Sequence, residues 1–429
     1  MATDVDVQYF SHLNGLTLGN NWGDLVRLLD KALVTGVDFT QITAASIDAQ
    51  GDVHITLYTA HNAMLFQVVE LSGFAPASLN QKYRIKGVPS ATELILKPHT
   101  AIVETSIATM GSGKLASLGY EIIFRDTNDV KRVYRAKNPT AQHPFIRVDE
   151  SLTSPDGTTG VYTSSYAKYA MVGLLEHMEH IDDYENLNVA QLPVSTSNPK
   201  FNWDIYNGSG SSVVRGWSRW YWRRAGSWGA GVADSSSPST GNAQFALIGD
   251  FNAFYFLPSL TPSTPRDLAL YGAGVFESAT DGSTIPPWFL MSTLRFNQTA
   301  GESQTLWSLN NGLPLLHSRA VSSFGVLKFE ESNPLPSTAT GYPIMPDYQS
   351  GSSVLGLTPQ TDVNLTIPFH DSSSRLRGVL PHVLYNAGVS LEDITTPTVR
   401  VTGSSVYMIA PAYHPSHRKS GFSFYLGEV

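Results

Sequence analysis

Apolar residues recur at helical spacing once near the start of the chain and at strand spacing almost everywhere else. After Asn21, Trp22 and Gly23, the residues Leu25, Val26, Leu28, Leu29, Ala32 and Leu33 form one apolar stripe. Asp24 is the expected N-cap and Gly36 the stop, which predicts a single short amphipathic helix. From Phe39 to about Val103 the period falls to two, in short β-branched runs at Ile42 to Ile47, Val53 to Tyr58, Met64 to Leu71, Tyr83 to Val88 and Glu93 to Leu96. Turn residues at Gly51, Gly73, Pro76 and Pro89 set these runs at the spacing of a small barrel or sandwich.

The pattern continues from about Gly111. GYEIIFRDTNDVKRVYR, Gly119 to Arg135, and PFIRVDES, Pro144 to Ser151, read as strand, polar turn, strand. Ser165 to Asp183 fits a helix by propensity, but Tyr169, Met171, Gly173, Leu175 and His177 also alternate as a strand does, and a strand is the expectation adopted. GWSRWYWRRAGSWG, Gly216 to Gly229, holds four of the chain's 8 tryptophans, and QFALIGDFNAFYFLP, Gln244 to Pro258, follows it. Ser209 to Ser212, Asp234 to Gly241 and Ser259 to Pro265 are loops, and strands close the chain at Val399 to Val401, Val406 to Ile409 and Gly421 to Leu426. The expected fold is mainly β, in sandwich or small-barrel modules with a short N-terminal helix. The expected division is a helix plus small β module over 1–110, an aromatic-rich β domain over 111–332 and a loop-rich β domain over 333–429.

Composition sharpens this picture. The 429 residues are 42% hydrophobic, enough for packed cores, but only 15% are charged, against roughly 25% in ordinary soluble domains. Such a surface is kept soluble by hydroxyls and amides or is partly covered by neighbouring subunits, so a homo-oligomer is expected. A net charge of -8 gives no field that draws phosphate backbones, which argues against nucleic acid as a partner. With 0 Cys there is no thiolate nucleophile or thiolate metal site. The start of the sequence, MATDVDVQYF, has no signal-peptide pattern, and no stretch is apolar enough to span a bilayer; synthesis in the cytoplasm without membrane insertion is the expectation.

Candidate chemistry is sparse. Gly111, Ser112, Gly113, Lys114 lacks the earlier glycine and the following Ser/Thr of a phosphate loop, with Ala108 and Leu115 in those places. Glu176, His177, Glu179, His180, Asp182 and Asp183 are metal-ligand types, yet they lack the H-E-x-x-H spacing and a distant third ligand; no metal and no cofactor is expected. Ser209, Ser211 and Ser212 do not complete a nucleophile elbow. Asp234 and Asp250, near the tryptophans in sequence, are the best pair for glycoside hydrolysis. Arg215, Arg219, Arg223 and Arg224 interleave with the tryptophans, as in a stacking platform for single-stranded nucleic acid or sugar. The preferred alternative is a strand with Trp220 and Trp222 turned into the core and arginines turned to a neighbouring chain, because Trp and Arg are enriched at interfaces. Trp217, Arg219, Arg223, Arg224 and Trp228 are the candidate interface.

The order of blocks resembles structural proteins of tailed-bacteriophage virions. The matching pieces are WGDLVRLLDKALVTG, SLNQKYRIKGV, GYEIIFRDTNDVKRVYR with PFIRVDES, FALIGDFNAFYFLP, and RLRGVLPHVLY at Arg375 to Tyr385. The resemblance implies a non-enzymatic building block of the virion, in the tail tip or baseplate, whose partners are copies of itself, other virion proteins or fibres. It carries over no catalytic residue. A receptor- or glycan-binding protein using Trp217, Trp220 and Trp222 on a host surface glycan is the alternative, with a head or neck decoration protein and a glycosidase behind it. The segments GSGSSVVRGWSRWYWRRAGSWG and EHMEHIDDYENLN depart from the pattern, which makes them the places for a particular role.

Overall fold

The computed structural model describes residues 3–186, 188–194, 202–226, 233–259, 261–262, 268–280, 285–294, 324–328, 335–344, 363–387, 394–411 and 421–429. Almost all regular structure in it is antiparallel β-sheet. The stripe expected to be helical forms α1, Asp24–Leu29, and continues as a wider π turn over Asp30–Thr35. Gly36, at φ +74°, ends it where a Cβ would strike the carbonyl of Leu115. Asp24 is the first helical residue and Gly23 the N-cap. Asp24 instead accepts from the amide of Asn21 at 2.9 Å.

Three sheets carry the architecture. An N-terminal sheet runs in the order Val37–Asp38, Ser112–Leu115, Val68–Ser72, Lys82–Ser90, Glu93–Pro98, Val53–Leu57, Ile42–Ile47. The Gly111 to Lys114 stretch is therefore strand from Ser112 on, with Lys114 paired to Glu70 at 3.4 Å. A central sheet orders Thr293–Leu294, Ser218–Arg223, Lys168–Leu175, Phe145–Asp149, Lys131–Ala136 and Tyr120–Arg125. The ambiguous Ser165 to Asp183 segment thus supplies a strand, buried at all eight positions from Lys168 to Leu175.

The long sheet begins with Gln8–Ser11, passes through Phe245–Gly249, Ala253–Pro258, Tyr271–Val275 and Trp288–Met291, and ends with Gly421–Glu428, Ser405–Pro411 and Thr398–Thr402. Both of its faces are covered, which is why FALIGDFNAFYFLP reads as a continuous apolar run. Phe254 and Phe256 point into a core shared with the central sheet and α1, whereas Tyr255 and Leu257 point into a second core. The second core forms because the sheet folds over itself: Tyr255 meets Phe424 at 5.7 Å and donates to the carbonyl of Pro381 at 2.7 Å.

Hydrogen-bonded sheets cross the boundaries expected at 110/111 and 332/333. The long sheet draws strands from all three segments, and Ser112–Leu115 belongs to the N-terminal sheet. Arg84 fastens this arrangement, donating to Asp4, Val7, Phe66 and Leu426 carbonyls from a buried position. Burial lowers its pKa to about 10, with Asp4 opposing the shift.

Candidate functional site

The aromatic block forms the Ser218–Arg223 strand, and every one of its side chains is buried. Gly216 sets its entry with φ +24°, at a point where a side chain would run into the Asn202 carbonyl and Met171. Trp220 and Trp222 lie in the core, as alternation suggests. Trp220 stacks on Tyr271 at 5.8 Å, faces Phe254 and Phe256 of the long sheet, and donates its indole N–H to Met291 O at 2.8 Å. Trp222 meets Trp22 edge-to-face.

The arginines do not face outward. Arg219, Arg223 and Arg224 are each 0% exposed within this single chain, and Trp217 is 7% exposed. Trp228 lies outside the described residues. The sequence reading turned these arginines to a neighbouring chain; in this chain they are buried, and most of their donors are used internally, with Arg223 Nη1 left without a partner. Arg223 donates to the carbonyls of Leu18 and Gly19 at 3.0 Å and to Gly241 O. Burial lowers its pKa to about 10. Arg219 donates to Gly216 O at 2.9 Å and to Arg215 O at 2.5 Å, and pairs with Asp234 at 3.5 Å. Arg224 reaches the same carboxylate at 3.4 Å, and Tyr221 donates its hydroxyl to it at 2.9 Å. Asp234 is therefore the buried hub of an ion cluster.

Arg215 occupies an aromatic cage. Its guanidinium carbon lies 4.3 Å from the ring centre of Tyr169, 4.7 Å from Tyr162 and 5.1 Å from Trp22, and its Nη2 donates to Ser151 O at 2.6 Å. A desolvated guanidinium over ring faces is held by the ring quadrupoles as well as by this one hydrogen bond, Nε and Nη1 having no partner. Asp250 is engaged elsewhere, with His382 at 3.2 Å and with the amides of Asn252 and Ala253. The two carboxylates suggested for glycoside hydrolysis thus serve separate structural networks.

One accessible polar cleft, of about 540 Å³, is formed by the 126–131, 149–155 and 180–185 segments. His180, Asp182, Asp183, Tyr184 and Glu185, from the segment that departs from the virion-protein pattern, line it. Below it, buried Arg147 donates to Asp149 at 2.8 Å and Asp182 at 2.6 Å, with its guanidinium over Tyr184 and Trp203. Burial pushes the Asp149 carboxyl up, but Arg147 and Lys131 outweigh it and hold the group below the usual range. His177 and His180 are exposed, 3.7 Å from Glu179 and 3.8 Å from Asp183. Among the described residues no three metal-ligand side chains converge.

One group had no role in the sequence argument. Glu150 is fully buried, accepts from the amides of Gly23 and Val26, and so takes the capping position expected of Asp24. Burial raises its pKa to about 8. Its signal was present in PFIRVDES, where Arg147, Asp149 and Glu150 interrupt a run otherwise patterned for burial.

Among the described residues, no helix is long and apolar enough to cross a membrane. No protein-family model and no curated protein matches the chain.

Proposed function

We propose that this chain is a non-enzymatic structural subunit of a multimeric particle, of the tailed-phage tail-tip or baseplate kind that its sequence resembles. The observation that carries the proposal is the internal use of the aromatic block. Tryptophans and arginines that would bind a ligand if exposed instead lock the central sheet to the long sheet and to the loop around Leu18. A scaffold of sheets fixed to one another in this way transmits load without needing a reactive centre. The low charge of the chain fits a surface partly covered by neighbours. The test is mass spectrometry of purified particles together with copy number and radial position from particle reconstruction. A chain absent from particles and monomeric at all concentrations overturns the proposal.

The cleft beneath His180 favours one second reading, a glycan-binding role. It is concave and offers carboxylates, the Asn128 amide and the hydroxyls of Ser151, Thr153 and Ser154, groups that pair with sugar hydroxyls. On this reading the contact surface is the cleft and not Trp217, Trp220 and Trp222, which are buried. Glycan-array binding that is lost in Asp183→Asn but kept in the wild-type chain would establish it.

A further inference from the structure

Two sheets end on strands whose outer sides have no neighbour among the described residues: Ile42–Ile47 in the N-terminal sheet and Thr398–Thr402 in the long sheet. The other sheet ends are protected. Val37–Asp38 and Thr293–Leu294 are two residues each, Tyr120–Arg125 carries charges, and Gln8–Ser11 is buried with Gln8 donating to Val68 O and Ala116 O of the N-terminal sheet. Open edges in natural proteins are blunted by charge, proline or shortness, since bare N–H and C=O groups recruit another strand. ITAASI at Ile42–Ile47 has no charge and no proline, and Thr43, Ala44 and Ser46 are exposed. TVRVT at Thr398–Thr402 has one charge, Arg400.

We infer that the Ile42–Ile47 edge of one copy pairs with the Thr398–Thr402 edge of a second copy, antiparallel, with Ser46 opposite Arg400. The inference rests on the multimeric reading above. Side-chain alternation selects the register. Ala45 and Ile47 turn to the core side of their sheet, paired within it to Ile55 and Val53. Val399 packs on the core side of its sheet, and Val401, 50% exposed, shares that face by alternation, the two paired to Met408 and Val406. Aligning Ala45 with Val401 and Ile47 with Val399 keeps the two apolar faces continuous. The same alignment sets Arg400 diagonal to Asp48, an opposite-charge neighbour across the new ladder. Pairing Ile42–Ile47 with itself would leave the Thr398–Thr402 edge open in both copies. Head-to-tail pairing covers both edges and repeats, giving a ring if the rotation closes.

The chain has 0 Cys, so an introduced thiol is the only one present. In the inferred register Ala44 lies opposite Thr402, both exposed, and directly opposed side chains in an antiparallel ladder are within disulfide reach. Ala44→Cys and Thr402→Cys chains of different tag mass, mixed and oxidised, are expected to give a mixed disulfide dimer, with neither variant linking to itself. Self-linking by Ala44→Cys overturns the inference in favour of symmetric pairing. A multimer by light scattering that gives no mixed disulfide overturns the inference alone; a chain that stays monomeric overturns both it and the reading it rests on. Ser46→Lys, facing Arg400, should weaken association roughly two- to five-fold, whereas Ser46→Glu should not. Equal association of the two variants would also count against the pairing.

Discussion

Trp222 meets Trp22 edge-to-face, with ring centres 5.8 Å apart and planes at 82°, across 200 residues of sequence. The contact ties the strand of the aromatic block to the turn that opens α1. Trp22 also faces Tyr162 and the Arg215 guanidinium, so the pair joins the apolar core to the aromatic cage. Trp222→Ala should destabilise the fold by about 3 to 5 kcal/mol, the range for deleting a buried tryptophan. Thermal melts check this; an unshifted melting temperature would contradict the core placement.

Arg223→Ala removes a donor from the half-buried Gly19 carbonyl and from the Gly241 carbonyl, and leaves the buried Leu18 carbonyl with the Ala243 amide alone. A loss of about 1 to 2 kcal/mol is expected, because the lost hydrogen bonds have a charged donor but only one of their acceptors is buried, and it keeps a second donor. Urea unfolding of the isolated chain measures it. Were Arg223 a contact to another chain, the isolated chain would keep its wild-type midpoint.

Removing the Asp234 carboxylate in Asp234→Asn leaves Arg219 and Arg224 as buried cations without their shared counter-charge. Breaking a buried ion cluster from one side typically costs about 3 to 5 kcal/mol. Guanidinium denaturation should show this for Asp234→Asn, and a wild-type midpoint would show that the cluster contributes nothing to folding.

Glu150 gives a pH signature whose sign is fixed by its raised pKa. Its ordinary value of 4.5 applies unfolded and about 8 applies folded, so between these values the folded chain holds the extra proton. Its contribution is full below about pH 4.5 and is lost as pH rises to about 8, with a slope of up to about 1.4 kcal/mol per pH unit. Glu150→Gln cannot titrate. The difference in stability between wild type and Glu150→Gln, followed by denaturant titration from pH 5 to pH 8, should fall steadily with pH; a flat difference would be inconsistent with a buried neutral carboxyl.

His177→Gln with His180→Gln should leave the melting temperature unchanged, within about 0.5 kcal/mol in stability, because both rings are exposed. Elemental analysis of the purified chain before and after the double change tests the expectation that they hold no metal.

The Val53–Leu57 strand was legible because it alternates, with Val53, Ile55 and Leu57 facing the core while His54 and Thr56 do not; the Met64 to Leu71 run is strand only from Val68, and Pro89, read as a turn, lies within the Lys82–Ser90 strand. The inward turn of Trp220 was legible from alternation too. The fate of Arg215, Arg219 and Arg223 was not. A guanidinium is ordinarily placed at the surface, and its burial depends on carbonyls and rings delivered from remote segments, here Leu18, Gly241, Tyr162 and Trp22. Domain limits were obscured likewise: nothing local to Gln8–Ser11 marks its partner as Phe245–Gly249.

That pairing has a consequence for synthesis. The N-terminal sheet can close once residue 115 has left the ribosome, and Gln8 can then bond to it, but the Gln8–Ser11 strand has no paired strand until residue 249 follows. At ordinary elongation rates the wait is roughly 7 to 27 seconds, during which Tyr9 and Phe10 remain uncovered by the strands that later bury them. A chaperone that engages the nascent chain would find its binding segment there, and the chain's vulnerability to aggregation should be greatest during translation rather than after it.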